Sequence, residues 1–414
     1  MASGTGVQAI GRWLAQKEEP MKFGRPILVT LLALTGLLVM AACGSDPTAT
    51  PTRGAPTATP APGETPQPTA TPTPEPSFDA AEYFGGERIR IMVGFSPGGG
   101  YDTSARAFAA VASRHFPGNP EFIIENRPGS GGELVFGLVN QAYPDGLTAS
   151  NMHPRFMKRE LLGVDVPFFD LATVKWVGAP TSVITGSAYY VNCNIAETWE
   201  DVLALGREVT EGATAPGDTG SLGSSFAALL GEPIELVYGY GGTSEIMAGF
   251  DRGELDGTNR GNYTQAPRLF PEWIEDGILC PVMRWGATPE EDPLFAEYIL
   301  ETLGKEMPDH VFDITGADQG ERAVYNASLV ANEMLSRAVW LHPDTPDHIY
   351  QVWIESFEAT INDPEFAEIM AAAGLEAGYL SPTEAEGFLD EASSTLAGSE
   401  ELRAMFSELA GGTD

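Results

Sequence analysis

The length, composition and charge of the chain exclude several classes of protein. Its 414 residues are 43% hydrophobic, which supplies a sizeable apolar core and excludes wholesale disorder. Lys and Arg number 23 against 58 Asp and Glu, and a formal net charge of −35 argues against a nucleic-acid partner. Such an acidic surface repels its own copies, so we expect a monomer.

The first 42 residues have the pattern of a signal peptide. Lys22 and Arg25 precede an apolar run of 17 residues that ends at Cys43, too short for an ordinary membrane span. The two alanines before Cys43 resemble a bacterial lipobox, in which the cysteine is diacylated and becomes the mature N-terminus. We therefore predict a lipoprotein signal peptide over 1–42, with Met21 as the alternative start and a plain secretory signal or anchor helix as the alternative interpretation.

The next segment, 43–77, is predicted to be a tether that carries the lipidated cysteine at its start. Ten prolines and nine threonines stand between residues 44 and 77, with almost no apolar residue. This composition cannot bury enough surface to offset its ordering entropy. We expect an extended, solvated connection between the membrane and the rest of the chain.

From Arg88 onwards the pattern is that of an α/β protein. Alternating apolar residues over 88–95 predict a strand, and a glycine-rich turn and a helical pattern follow directly. A second strand is predicted at 121–125, and a third after the turn at 144–146. Strands that alternate with helices at this spacing predict a largely parallel sheet.

Helix starts are marked farther along the chain. Thr198 with an aspartate three residues later predicts a capping box. Pro346, Pro364 and Pro382 each follow Thr, Asp or Ser, a pairing that predicts three helix starts in the C-terminal part.

The loop over 96–102 is the first candidate site. It places three consecutive glycines before a predicted helix, where unpaired N–H groups and the helix dipole can receive an anion. A tight structural turn explains the same pattern equally well. The loop is neither a Walker loop nor a dinucleotide fingerprint, because GK[ST] and GxGxxG spacing are both missing.

Three segments together resemble one family. FSPGGGYDTSAR (95–106), ENRPGSGG (125–132) and PDG (144–146) have the order and spacing of the substrate-binding proteins of tripartite tricarboxylate transporters, the Bug family. Similar segments continue at 222–257 and 342–377. The resemblance implies a type II periplasmic-binding-protein fold, with two α/β lobes that close around a small carboxylated solute. The expected lobes are 78–191 plus 338–414 and 192–337.

The resemblance also implies ligand-binding residues in both lobes. They are Phe95, Ser96, Gly98, Gly99, Gly100, Tyr101, Asp102 and Asn151 in the first lobe, and Ser221, Ser224, Ser225, Tyr240, Gly241 and Gly242 in the second. Two positions depart from the family's pattern: Tyr101 replaces the usual threonine, and Gly241 replaces a lysine. Backbone amides would therefore do most of the holding, and Tyr101 would narrow the pocket.

Neither a metal nor a cofactor is expected. His342 and His348 flank two aspartates, but the segment also fits a loop before a helix. HExxH and CxxC patterns are missing from the sequence. After lipidation of Cys43, Cys193 and Cys280 remain as an even pair in an oxidising compartment, and the sequence leaves open whether they form a disulfide.

The sequence therefore predicts a non-enzymatic, extracytoplasmic solute receptor that is lipid-anchored to the bacterial membrane. By the resemblance it would deliver an organic carboxylate, such as a di- or tricarboxylate, to multi-span permease subunits of a tripartite transporter. Two alternatives stay open. One is a sensor that presents its ligand to a membrane histidine kinase, and the other is a hydrolase that uses Asp102 with Ser224 or Ser225.

Overall fold

The computed structural model describes residues 78–411 with the exception of 163–165, 171, 182–183, 264 and 397–399. The predicted signal peptide with its alternative start Met21, the predicted lipidation site Cys43 and the predicted tether lie outside the described residues. The described part of the chain forms a single unit from Phe78 onwards.

The strands of the described residues build two five-stranded sheets. In chain order they are β1 (Arg88–Val93), β2 (Glu121–Asn126), β3 (Thr148–Asn151), β4 (Lys175–Gly178), β5 (Gly186–Asn192), β6 (Val209–Ala213), β7 (Ile234–Tyr238), β8 (Gly257–Thr258), β9 (Leu279–Gly286) and β10 (Val339–Leu341).

Helices fill most connections between these strands. In chain order they are α1 (Ala80–Phe84), α2 (Gly100–Ala112), α3 (Leu134–Asn140), α4 (Arg155–Leu161), α5 (Trp199–Ala204), α6 (Leu222–Leu229), α7 (Thr243–Asp251), α8 (Ala266–Leu269), α9 (Glu272–Glu275), α10 (Pro293–Glu297), α11 (Val311–Thr315), α12 (Gln319–Met334), α13 (Asp347–Ile361), α14 (Pro364–Ala372), α15 (Pro382–Leu396) and α16 (Glu400–Leu409). A 3₁₀ turn at Ser130–Gly132 and a π-helical turn at Tyr298–Thr302 complete the set.

Both sheets have the same topology. The first has the strand order β2-β1-β3-β10-β4 and the second β7-β6-β8-β5-β9. In each sheet, three parallel strands from a βαβαβ unit are followed by one antiparallel strand. The antiparallel strands, β10 and β5, are those next to the points where the chain crosses between the sheets. The predicted α/β class with a largely parallel arrangement is confirmed, and the return crossing enters at β10.

The lobes are divided somewhat differently from the predicted boundaries. Strand β5 belongs to the second sheet although it begins before residue 192. The C-terminal helix α16 packs its Phe406 and Leu409 into the core of the second lobe, although the sequence had placed 338–414 in the first. Its apolar face fits against α6 and α12, and this packing decides its place.

Each sheet is covered on its faces by apolar packing. In the first lobe, Phe108 of α2 and Trp353 of α13 are buried over β1, whose Ile89 and Ile91 alternate with exposed arginines as predicted. On the other face Phe136 and Trp340 pack with ring centroids 5.0 Å apart. The carboxyl ends of the parallel strands are left to loops, the place where α/β sheets bind ligands.

The predicted helix starts have mixed outcomes. Thr198 forms the predicted capping box, and Asp363 caps α14 by accepting from the N–H of Glu365. Thr345 does not cap α13: the cap position is Pro346, and the Thr345 hydroxyl is buried without a partner among the described residues. That threonine lies one residue too early for its oxygen to reach the first turn.

Two further features concern the membrane and the cysteines. Among the described residues, no helix combines the length and apolar character that a membrane crossing requires. Cys193, just after β5, and Cys280 on β9 form a disulfide across 87 residues of sequence. The bond therefore ties the first strand of the second lobe to its last.

We predict that this disulfide stabilises the folded chain by about 2–4 kcal/mol, because it restricts a long loop of the unfolded chain. Chemical denaturation with and without reductant measures the difference. A Cys193→Ala/Cys280→Ala variant is the control, and it should show no effect of reductant. Equal stability of the oxidised and reduced chain would contradict the prediction.

Candidate functional site

The glycine-rich loop joins β1 to α2 at the carboxyl edge of the first sheet. Gly98 has φ +86°, a left-handed conformation that favours glycine. Gly99 and Gly100 lead directly into α2, a helix of 13 residues whose first N–H groups have no partner within the helix. The loop therefore directs backbone donors and the positive end of a helix dipole at the gap between the lobes.

Asp102 fixes the shape of this loop. Its buried carboxylate accepts hydrogen bonds from the Gly98 N–H, from Arg106 Nε and from Asn126 Nδ2, each 2.9 Å long. Burial alone would raise the pKa of Asp102, but the bonds from Arg106, Gly98 and Asn126 outweigh it and lower the pKa. The carboxylate is thus occupied by the loop that it supports, which is a positioning role.

The loop also forms the contact between the two lobes. The Ser96 N–H donates to the Gly241 carbonyl at 2.9 Å, and the Ser96 hydroxyl donates to Glu245 at the start of α7. Ser244 returns a bond of 3.1 Å to the carbonyl of Pro97. The hydrogen bonds to the Glu245 carboxylate, with that of Ser96 the strongest, lower its pKa. In this structure the lobes are in direct contact.

A cavity of about 40 Å³, here called the smaller cavity, lies between the loop and the second lobe. Its lining residues are Phe95, Gly99, Gly100, Tyr101, His153, Thr214, Asp218, Thr219, Gly242, Thr243 and Arg260. Arg260 donates to Asp218 at 2.7 Å, and both side chains are largely buried. Burial would raise the pKa of Asp218, but Arg260 and the bonds from Thr214 lower it well below its usual range.

Aromatic rings form one wall of the smaller cavity. Tyr101 stacks on His153 with centroids 5.9 Å apart, and Phe95 lies 4.5 Å from Tyr101. Burial lowers the pKa of His153 to about 3, so its imidazole is neutral at physiological pH. Burial also raises the pKa of Tyr101 to about 12, which keeps its phenol protonated.

A second cavity of about 130 Å³, the larger cavity, continues from the smaller one, since Thr219 and Arg260 line both. Its lining residues are Thr181, Thr185, Gly186, Ser187, Thr219, Gly220, Asn259, Arg260, Asn262, Tyr263, Gln265, Trp285, Asn332, Glu333, Ser336, Arg337, Gly374, Leu375 and Glu376. Most of these side chains are polar. The cavity lies beside the segments that cross between the lobes.

Arg337 lines the larger cavity and lies against the glycine loop. A Cβ on Gly100 would lie 3.2 Å from its Nη2, and its guanidinium carbon is 5.9 Å from the Tyr101 ring. The φ of Arg337 is +63°, a strained value for a residue with a side chain. Its Nε is buried without a hydrogen-bond partner in the described part of the chain. Strain and an unpaired donor together make Arg337 a candidate functional position.

The structure distributes the residues predicted from the sequence over several places. Phe95, Gly99, Gly100, Tyr101 and Gly242 line the smaller cavity; Ser96 and Gly241 form the contact between lobes, and Gly98 faces Ser244. Asn151 donates to the Tyr101 carbonyl at 3.0 Å. Ser221, Ser224, Ser225 and Tyr240 do not line either cavity.

The second-lobe residues outside the cavities pack within their own lobe. Ser221 and Ser224 are fully buried beside the carboxylate of Glu211 on β6. The ring of Tyr240 lies against Gly212 and Gly249. These positions follow from the inward turn of the first residues of α6 and from space left by the two glycines.

Comparisons with known proteins give the fold. No family model matches the chain. A UPF0065 protein from the gbd 5′ region of Cupriavidus necator is 35% identical over 77 residues, which are 19% of this chain and only 23% of that relative's length. The solved structure of the periplasmic binding protein BugD has a TM-score of 0.56 at 17% identity and covers 79% of this chain and 98% of its own.

Two other solved structures carry ligand names in their descriptions. An R. palustris protein with adipate has a TM-score of 0.54 at 20% identity, over 78% of this chain and 97% of that one. MatC from Rhodopseudomonas palustris with bound malate has a TM-score of 0.51 at 15% identity, over 75% of this chain and 99% of that one. This chain has the fold of the Bug periplasmic binding proteins. The resemblance predicted from the sequence is confirmed at the level of fold.

Sequence reasoning missed the charged and amide residues of this Bug-like cleft. Asn259 and Arg260 directly follow β8, the third parallel strand of the second lobe. Loops at the carboxyl ends of such strands carry ligand sites, so the position of the strand was the available signal. Asn332 and Arg337 lie at the end of α12 and before β10, in a stretch where the sequence offered no recognisable pattern.

The histidines that flank two aspartates do not come together as ligands. His342 Nδ1 accepts from the N–H of Asp344 at 3.0 Å, and the ring of His348 packs on Phe78 with centroids 4.3 Å apart. Within the described residues, no group of three or more His, Cys, Asp or Glu side chains could hold a metal ion.

The buried Glu211 generates a prediction about pH. Burial raises its pKa from 4.5 to about 7, so the folded chain binds more protons than the unfolded chain between those values. Stability from this group is therefore lost as pH rises from 4.5 to 7. Glu211→Gln should stabilise the protein by about 2–3 kcal/mol at pH 8 and leave it nearly unchanged at pH 4.

Denaturant unfolding at several pH values measures this effect. Glu235→Gln, on the exposed face of the neighbouring strand β7, is the matched control and should leave the pH profile unchanged. If the free energy of unfolding of Glu211→Gln differs between pH 4 and pH 8 by as much as that of the wild type, the prediction is wrong.

Proposed function

We propose that the protein is an extracytoplasmic solute-binding receptor that captures a small organic carboxylate in the cleft between its lobes. The observation that carries this proposal is the combination of Arg260 and Arg337 with the glycine loop. Both arginines have a buried Nε without a partner among the described residues, and both lie at the joined cavities. A carboxylate supplies the acceptors that these donors need. The named ligands of two fold neighbours, adipate and malate, are also carboxylates.

The carboxylate is held by local dipoles and charges. The N–H groups at the start of α2 face the gap beside Gly99 and Gly100, and Arg337 lies against Gly100. The net charge of −35 opposes an anionic ligand, but salt screens exposed charges beyond about 8 Å. The proposed site thus combines two sets of residues. The first set was predicted from the sequence and lines the smaller cavity, namely Phe95, Gly99, Gly100, Tyr101 and Gly242. The second set, Arg260 and Arg337, comes from the structure.

Binding and release follow from the contact between lobes. Ser96 and Glu245 hold the lobes together next to the smaller cavity, so a ligand enters only when these bonds open. A ligand that contacts both lobes favours the closed state by its differential affinity. A receptor of this kind forms and breaks no covalent bond. The carboxylate of Asp102 is bound by three donors, and Ser224 is buried away from the cavities, so the hydrolase alternative gains no support.

The proposal includes delivery at the membrane. The lipobox-like sequence before Cys43 and the proline-rich segment after it would keep the receptor at the bacterial membrane while its lobes reach outward. Polyproline II rises about 3.1 Å per residue, so the tether spans up to roughly 100 Å. The receptor would then present its ligand to multi-span permease subunits of a tripartite transporter.

A ligand screen tests the carboxylate proposal. Thermal unfolding is measured with mono-, di- and tricarboxylates and with neutral sugars and amines at matched concentration. A carboxylate at 100 times its dissociation constant should stabilise the folded protein by about 2.7 kcal/mol. Stabilisation by neutral sugars or amines alone would overturn the carboxylate proposal.

A pair of glycine variants locates the site in the same screen. Gly99→Val projects extra atoms towards Thr243 in the smaller cavity and should remove the ligand-induced shift without unfolding the protein. Gly387→Val is the control, because a side chain there meets nothing within 4 Å. If Gly99→Val binds the ligand with unchanged affinity, the binding site does not include the glycine loop.

A separate prediction concerns the anchor. Cys43→Ser removes the thiol that would be lipidated, so the protein should pass from the membrane fraction to the soluble extracytoplasmic fraction. Fractionation and the mass of the N-terminal peptide measure this change. A wild-type N-terminal peptide without added lipid would contradict the anchor.

A further inference from the structure

The larger cavity contains buried polar atoms that the fold leaves unsatisfied. Asn259, which directly follows β8, and Asn332, near the end of α12, both line it and are only 2% and 1% exposed. Neither the amide nitrogen nor the amide oxygen of either residue has a hydrogen-bond partner within the described part of the chain. Buried polar groups are nearly always paired, so these four atoms point to an occupant.

Other atoms in the same cavity add to this need. Gln265 Oε1 is a further buried acceptor without a partner, and the Nε atoms of Arg260 and Arg337 are further donors. The occupant must therefore offer donors and acceptors together. A carboxylate only accepts and an ammonium only donates, whereas a hydroxyl group does both.

The charge of the larger cavity favours neutral groups at its far end. Arg260 is already paired with Asp218, and Glu333 and Glu376 also line the wall. The positive charge of Arg260 is thus balanced by Asp218, and two further acidic side chains face the cavity, so a second free carboxylate would gain little there. Arg337 lies next to Gly100, so the proposed contact of the carboxylate is with this arginine and the glycine loop.

We propose that the larger cavity is a subsite for the hydroxylated part of the ligand, and that the receptor selects polyhydroxylated carboxylic acids such as sugar acids. Asn259 and Asn332 are the residues that determine this specificity. The inference rests on the proposed carboxylate receptor and names its substrate class. Without a ligand, water can form hydrogen bonds with the same atoms. The hydroxyl groups of a ligand form equivalent hydrogen bonds when they replace this water, whereas an alkyl chain displaces the water and leaves the amides unpaired.

Calorimetric titration of the purified full chain tests the proposal with ligands matched in carbon number. Gluconate is compared with hexanoate, and galactarate with adipate, so that each pair differs in its hydroxyl groups. A site built to bind hydroxyl groups rejects the analogue that lacks them strongly, so we expect gluconate to bind at least about 100-fold more tightly than hexanoate. Glucitol, which has the hydroxyl groups without the carboxylate, is the fifth ligand.

Two variants assign the preference to the cavity. Asn332→Leu should weaken the binding of gluconate at least about tenfold and leave the binding of hexanoate unchanged or tighter. The leucine side chain has no polar atoms that need hydrogen-bond partners, so an alkyl chain beside it leaves no group unpaired. It should also raise the melting temperature of the unliganded protein. Asn326→Leu, on the same helix and outside the cavity, is the control and should bind gluconate as the wild type does. Asn259→Leu repeats the test from the loop after β8 if Asn332→Leu does not fold.

The outcomes separate the inference from the proposed function. Equal affinities within each matched pair overturn the hydroxyl preference while the carboxylate receptor stands. Binding of glucitol with no binding of gluconate overturns the carboxylate receptor and retains the hydroxyl subsite. No binding of gluconate, galactarate or glucitol overturns the inference.

Discussion

Arg260 and Asp218 form a buried ion pair at the boundary between the lobes, and the two cavities are arranged around it. Asp218 also accepts from the N–H and hydroxyl of Thr214 and from the N–H of Gly220, so one carboxylate holds the loop after β6. The guanidinium passes directly over Gly220, where a Cβ would lie 1.5 Å from Nη1. Only glycine permits this approach. Breaking a buried pair leaves an uncompensated charge, so the loop, the arginine and the cavity walls depend on one another.

This pair also explains how an acidic protein can direct hydrogen-bond donors at a ligand. The surface carries most of the excess acid and is screened by salt, whereas charges inside the cleft act at short range in a less polar medium. Arg260 keeps its orientation because Asp218 takes one of its donors, and Arg337 is held between Gly100 and Tyr101. Selection of the ligand is therefore a matter of the donors and acceptors in the cleft. Net charge affects the rate of encounter.

The sequence predicted those parts of the molecule that local patterns encode. The strand at 88–93, the glycine loop and α2 follow one another along the chain, so alternation, turn residues and helical spacing were sufficient signals. Arg260 and Arg337 could not be found in this way, because they meet only when two separate lobes fold and the chain crosses back at β10. Ser221 and Ser224 show the opposite case. The family resemblance implied a ligand contact for them, but their hydroxyls turn inward beside Glu211, and side-chain direction at a helix start is set by packing.

The cleft has features that lower the stability of the protein when no ligand is bound. Asn259 and Asn332 leave amide groups unpaired, and Arg337 adopts a strained backbone. Each of these costs free energy that ordinary apolar packing would avoid. Such costs persist where a bound molecule repays them, so binding and closure are thermodynamically linked: the ligand that satisfies the unpaired groups is also the one that stabilises the contact between Ser96 and Glu245. In the proposed site, affinity is thus set by the polar groups that the protein itself leaves unpaired.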